Sequence, residues 1–127
     1  MNKTVLYTEN APNPIGPYSQ GIKTGNMIFL SGQIALNPKT GEMNNNSLED
    51  ETYQVMANIY ALLKSQDLGW ENVVKTTIFL KNMDDFGKVN EIYGSFFKEN
   101  FPARETIEVT RLPKEARLEI SITAVLL

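Results

Sequence analysis

The chain contains no histidine and no cysteine, so any chemistry it performs must come from other groups. The commonest general base and the commonest thiol nucleophile are both missing, as are the imidazole and thiolate ligands of ordinary zinc sites. Asp, Glu, Lys, Arg, Tyr, Ser, Thr, Asn and the backbone are left. Arg104, in Phe101-Pro102-Ala103-Arg104, falls where a helix should give way to a strand. A guanidinium there can grip a carboxylate through two parallel hydrogen bonds. Glu119 lies in mid-strand on the polar side of an alternating segment. The tight turn Ile15-Gly16-Pro17-Tyr18-Ser19 can project the phenol of Tyr18, and Ser31-Gly32-Gln33 interrupts an apolar run. Asn90 sits between Val89 and Glu91 in a helical stretch.

Each residue has a plainer reading when taken singly. An arginine is more often a surface ion pair of little energetic value, and a mid-strand glutamate is more often solvated or paired across strands. Tyr18 could simply be half-buried packing. Gly32 could mark a bulge, and Asn90 could face solvent.

The elements that must hold these residues are legible from periodicity. Asn26–Ile34 reads as a strand, apolar on both faces, with weaker strands at Thr4–Tyr7 and Ser19–Lys23. Asn37-Pro38-Lys39-Thr40-Gly41 is a turn by its chemistry. Ser47 is placed to cap a helix whose first turn carries Glu49, Asp50 and Glu51. Leu48, Thr52, Val55, Met56, Ile59, Leu62 and Leu63 share one face of it, and Gly69 is a natural stop. Val73–Leu80 is a β-branched strand. Asp84 or Asp85 should cap a second helix with Phe86, Val89, Tyr93, Phe96 and Phe97 inward and Pro102 at its end. Ala103–Thr110 and Ala116–Leu126 close the chain as strands, joined by a turn at Leu112-Pro113-Lys114. In the last strand Leu118, Ile120, Ile122 and Ala124 alternate with Arg117, Glu119, Ser121 and Thr123.

The order β–β–β–α–β–α–β–β is an α+β layout, a mixed sheet covered on one face by two helices. Met27–Leu30 and Ile78–Leu80 are apolar on both sides. The other sheet face should therefore be covered by further copies of the chain rather than by water. With 127 residues, 42% hydrophobic and 21% charged, the expectation is a single globular domain spanning 1–127. The apolar runs are too short to span a membrane. Met1-Asn2-Lys3-Thr4 offers no apolar export signal, and the lack of Cys suits the cytoplasm. A net charge of −3 without a basic stripe weighs against nucleic-acid binding.

Taken together, the motifs resemble the RidA (YjgF, reactive intermediate deaminase A) family over essentially the whole chain. They are Glu9-Asn10-Ala11-Pro12, Ile15-Gly16-Pro17-Tyr18-Ser19-Gln20, Gly25-Asn26-Met27-Ile28, Ser31-Gly32-Gln33-Ile34 and Asn37-Pro38-Lys39-Thr40-Gly41. They continue through Val74-Lys75-Thr76-Thr77, Val89-Asn90, Pro102-Ala103-Arg104, Glu108-Val109, Arg111-Leu112-Pro113-Lys114 and Leu118-Glu119-Ile120. The resemblance implies a chorismate-mutase-like fold assembled as a homotrimer, with ligand sites in the clefts between subunits and no metal or cofactor. It further implies hydrolysis of 2-iminopropanoate and 2-iminobutanoate, or their enamine tautomers, to 2-oxo acids and ammonia. Such imines escape from pyridoxal-phosphate enzymes such as serine/threonine dehydratases.

By the same resemblance, Arg104 matches the arginine that holds the substrate carboxylate. Glu119 matches the glutamate that positions or activates water, while Tyr18, Ser31, Gly32 and Asn90 match pocket positions. One departure stands out: Glu105-Thr106 replaces the Ser-Cys of many bacterial members. Thr106 still offers the backbone groups expected in the pocket, and strand alternation points Glu105 away from Arg104. A trimeric binder of 2-oxo acids that does not turn them over would use the same arginine. The ribonuclease or translation-inhibitor role attributed to some relatives fits the acidic charge poorly.

Overall fold

The computed structural model describes residues 2–127. Its strands are β1 (Thr4–Leu6), β2 (Gly21–Thr24), β3 (Met27–Gln33), β4 (Val73–Leu80), β5 (Ala103–Glu108) and β6 (Leu118–Val125). Helix α1 (Leu48–Lys64) precedes β4, and α2 (Phe86–Gly94) lies between β4 and β5. The six strands form one sheet in the order β1-β2-β3-β6-β4-β5. All pairs are antiparallel except β4–β5, because the crossover through α2 returns the chain in the same direction. The α+β layout expected from the sequence is the one observed.

Burial on one face of the sheet builds the core. Leu118, Ile120, Ile122 and Ala124 of β6 are buried beside Ile28 and Leu30 of β3 and Ile78 and Leu80 of β4. Val55, Met56, Ile59, Leu62 and Leu63 of α1 and Val89 and Tyr93 of α2 pack over them. The two helices therefore cover one face. The other face is open and carries Val5, Phe29 and Ile107 at 60%, 43% and 43% exposure. An apolar surface of that kind is the expected mark of a contact face.

The ends of the helices differ from expectation. Ser47 caps α1 as foreseen, its hydroxyl accepting from the Asp50 N–H at 3.0 Å. The helix nevertheless stops at Lys64 rather than near Gly69. Asp67 takes the left-handed turn (φ 59°), and Gly69 is extended. Asp85 occupies the N-cap of α2 as expected but makes no capping hydrogen bond; the short turn Met83–Asp85 before it is capped by Asn82, which accepts from the Asp84 N–H at 2.9 Å. Helix α2 ends at Gly94, well short of Pro102. Phe96 and Phe97 follow it as a packed turn that still reaches the core.

A buried carboxylate fixes the start of β6. Glu51 of α1 is 1% exposed; it accepts from the Arg117 N–H at 2.7 Å and faces the Arg117 guanidinium at 3.4 Å. Its burial outweighs these stabilising partners and holds its pKa above the ordinary 4.5. The folded chain thus binds this proton more tightly than the unfolded chain. The stabilising contribution of Glu51 is full below pH 4.5 and is lost as pH rises through the folded pKa. Glu51→Ala is expected to cost about 2 kcal/mol in acid. The cost should shrink toward neutral pH, as read from urea unfolding at two pH values.

Candidate active site

Arg104, the second residue of β5, lies on the side of the sheet that faces α2. Its register partner is Thr76 of β4, which in turn pairs with Ile122 of β6. Arg104 therefore belongs to the helix-covered face, at the sheet edge. Its guanidinium lies over the Tyr93 ring at 5.2 Å and near the Phe86 ring at 5.7 Å. These aromatic faces attract the cation and hold its plane without neutralising it. Among the described residues no carboxylate pairs with it, so the surface-pair reading does not apply.

Asn90, Tyr93, Phe101 and Pro102 surround Arg104 in one cleft. Tyr93 is itself fixed, donating from its buried hydroxyl to Thr76 Oγ1 at 2.9 Å. Rings continue outward from it: Phe97 at 4.9 Å, then the sole tryptophan, Trp70, at 5.5 Å from Phe97. Thr106 lies two residues beyond Arg104 in the same strand. Its Oγ1 is buried and has no hydrogen-bond partner. Glu105 points the other way, as alternation required: it accepts from Thr77 Oγ1 and pairs with Lys75 at 3.0 Å.

Glu119 leaves β6 on the open face, opposite Phe79 of β4. It lines a separate pocket with Tyr18, Gly32, Pro12, Asn13 and Pro113. Burial alone raises its pKa above the usual 4.5, since no cation sits close enough to oppose it. Within one chain Arg104 does not act on it, because the two lie on opposite faces of the sheet. Gly32 occupies the irregularity in β3 between Leu30 and Gln33. A Cβ there would fall on Glu119 Oε2 and lie 2.8 Å from Cδ. The glycine is what lets the carboxylate fold back against the strand.

Tyr18 is 47% exposed, and its hydroxyl accepts from the Ile15 N–H at 3.3 Å. Ser31 is beside the pocket without lining it: its hydroxyl donates to the Ser19 carbonyl at 2.5 Å and so anchors the turn that carries Tyr18. The candidate residues thus fall into two groups. Arg104, Asn90 and Thr106 form one half; Glu119, Gly32, Tyr18 and Ser31 form the other. Sequence reasoning passed over Pro12, Asn13 and Gln20 in the second half and the supporting role of Tyr93 in the first. The strand irregularity at Gly32 was its one local signal.

The chain matches the family described as Endoribonuclease L-PSP over residues 8–126. A RutC family protein from Pyrococcus horikoshii is 50% identical over 96% of this chain and 97% of its own length. The 2-iminobutanoate/2-iminopropanoate deaminase of Escherichia coli is 47% identical, with 98% of each chain covered. Among solved structures, Escherichia coli TdcF with bound serine superposes with a TM-score of 0.93 at 36% identity, covering 98% of this chain and 99% of that one. The chain belongs to this family, the RidA (YjgF) family that its motifs resemble.

Gly32→Ala should displace the Glu119 carboxylate while leaving the fold intact. The check is an unchanged circular dichroism spectrum with a Glu119 carboxyl pKa returned toward 4.5. Glu119→Gln removes a charge that is desolvated without a partner. It should raise the melting temperature near pH 7 and lose that gain near pH 4, where folded and unfolded Glu119 are both largely protonated.

Proposed function

We propose that the protein hydrolyses 2-imino acids, with 2-iminobutanoate and 2-iminopropanoate as substrates, to 2-oxo acids and ammonia in the cytoplasm. The observation that carries this reading is the division of the site. An arginine without a carboxylate partner and a desolvated glutamate lie on opposite faces of one sheet. A second copy laid on the open apolar face can bring its Arg104 cleft to the Glu119 pocket of the first. The proposed assembly is a homotrimer with three shared sites. The names of relatives such as the Escherichia coli deaminase support the reaction class.

In this mechanism Arg104 holds the substrate carboxylate bidentately, and Asn90 and the backbone at Thr106 complete that cradle. The imine carbon is already electrophilic, so the enzyme needs mainly to orient it and place a water. Glu119, with Tyr18 and Gly32 beside it, takes a proton from water as the C–O bond forms and the C=N electron pair moves to nitrogen. It returns that proton to the nitrogen to give the carbinolamine, then carries the hydroxyl proton to the amine as the carbonyl forms and the C–N bond breaks, and ammonia leaves. A carboxyl group with a raised pKa suits both transfers better than an ordinary one.

A dehydratase that releases 2-aminocrotonate provides the assay. The protein should accelerate oxo-acid formation, and Arg104→Ala and Glu119→Ala should each abolish the acceleration. Mixing the two inactive variants after dissociation and reassembly should restore activity, up to about a third of wild type, because one interface in a mixed trimer carries both residues. A site contained in one chain would give no recovery. Serine bound to TdcF favours a second reading, a carboxylate binder without turnover. Binding of a 2-oxo acid that depends on Arg104, with no acceleration by wild type, would establish it.

A further inference from the structure

Between β1 and β2 the chain runs from Tyr7 to Gln20 without a helix or strand, yet this stretch supplies Pro12, Asn13 and Tyr18 to the Glu119 pocket. Three prolines, at 12, 14 and 17, limit its backbone freedom but give it no hydrogen bonds. The side chain of Gln20 supplies them. Gln20 is 2% exposed. Its Nε2 donates to the carbonyls of Thr8, Ala11 and Pro12 at 3.0, 3.2 and 2.9 Å. Its Oε1 accepts from the Thr8 N–H at 2.8 Å. One amide thus does for residues 8–12 what a neighbouring strand does elsewhere in the sheet.

We infer that Gln20 is a positioning residue for the Glu119 half of the site: its buried amide fixes residues 8–12 and so holds Pro12 and Asn13 as part of the wall that keeps water from the Glu119 carboxylate. The inference rests on the imine-hydrolase reading only for its kinetic consequence. Loosening the wall admits water to the carboxylate and widens the space in which the attacking water must be aligned. Within one chain few other charges act on Glu119, and the Arg104 that the proposed trimer brings to it from a neighbouring copy is common to wild type and variants. Tyr18 is the one titratable side chain among its pocket neighbours, and Phe79 faces it from β4. Arg117, two residues earlier in the chain, turns to Glu51. In the neighbouring turn Glu115 is engaged by Arg111 and Lys81, and Lys114 is exposed. Within one chain the shift of Glu119 comes from burial rather than from a neighbouring charge, and the 12–20 segment supplies part of that cover.

The test compares wild type with Gln20→Met, which keeps the volume and removes all four hydrogen bonds, and with Gln20→Asn, whose amide is one carbon short. Asn72→Ala is the control. It removes a buried amide that joins Gly69 to Val125 at the far end of β6, at 3.0 Å on each side. The assembled protein is titrated by NMR on a carbon-labelled Glu119 carboxyl, and imine hydrolysis is measured on the same samples. Gln20→Met, which admits water to the carboxylate, should move the Glu119 midpoint down from its wild-type position in the same assembly. It should also lower kcat by about a hundredfold, with KM held within about threefold because the Arg104 half is untouched. Gln20→Asn should fall between Gln20→Met and wild type, and it carries the comparison if Gln20→Met does not fold. Asn72→Ala should lower the melting temperature and move neither quantity.

A Gln20 variant that loses stability but keeps the wild-type Glu119 midpoint would overturn the inference and leave Gln20 a structural residue. If wild type shows no imine hydrolysis, the functional reading falls, while the Glu119 midpoint still decides the role of Gln20.

Discussion

The molecule depends on the burial of alternate residues along β6. Leu118, Ile120, Ile122 and Ala124 lie beneath the helices, and a slip of one residue would turn all four toward the open face. With that register set, Glu119 can only emerge opposite the helices. The same register propagates outward through Ile122–Thr76 and then Thr76–Arg104, which commits Arg104 to the helix side. The two most chemically capable residues are therefore kept apart by the very packing that folds the chain.

Each is prepared in its own way for what it lacks. Arg104 keeps its charge because aromatic rings support it without supplying an anion. Glu119 is desolvated without a compensating cation, a state that costs folding free energy and is found where a carboxyl group must exchange protons. The turn beside Glu119 is held in a further uphill state. Lys114 and Glu115 both take positive φ, at 58° and 54°, in a region that disfavours residues with a Cβ. The turn sets Pro113 against the Glu119 pocket, and its ion pair between Arg111 and Glu115 at 2.6 Å is exposed, so it offsets little of that strain.

Much of this was legible in the sequence where a single period governs burial. The alternation of β6 and the inward face of α1 follow from which side chains can leave water, and the structure reproduces both. Helix ends were less legible. Asp67 takes the turn that Gly69 is better known for, and Asn82 makes the capping hydrogen bond that Asp85, at the N-cap of α2, does not. Arg104, Glu119, Tyr18, Gly32 and Asn90 were visible as motif positions. Their separation into two groups was not, because it follows from a register chained through three strands. Buried polar residues such as Glu51, Gln20 and Asn58 were the hardest to foresee. Asn58 donates to the carbonyls of Ile34 and Leu36, both distant in sequence, and nothing local marks a side chain whose partners lie so far away.

The rings behind Arg104 have an optical consequence. Trp70 is the only tryptophan, and Phe97 and Tyr93 connect it to the guanidinium by near contacts. Tyr60 stacks on the indole at 6.1 Å, near enough to pass excitation energy to it. The single indole therefore stands at the far end of a chain of rings that begins at the cleft. An anion settling on Arg104 alters the field at the near end of that chain without any label being added. Occupancy of the cleft should therefore be sought first in the intrinsic tryptophan emission.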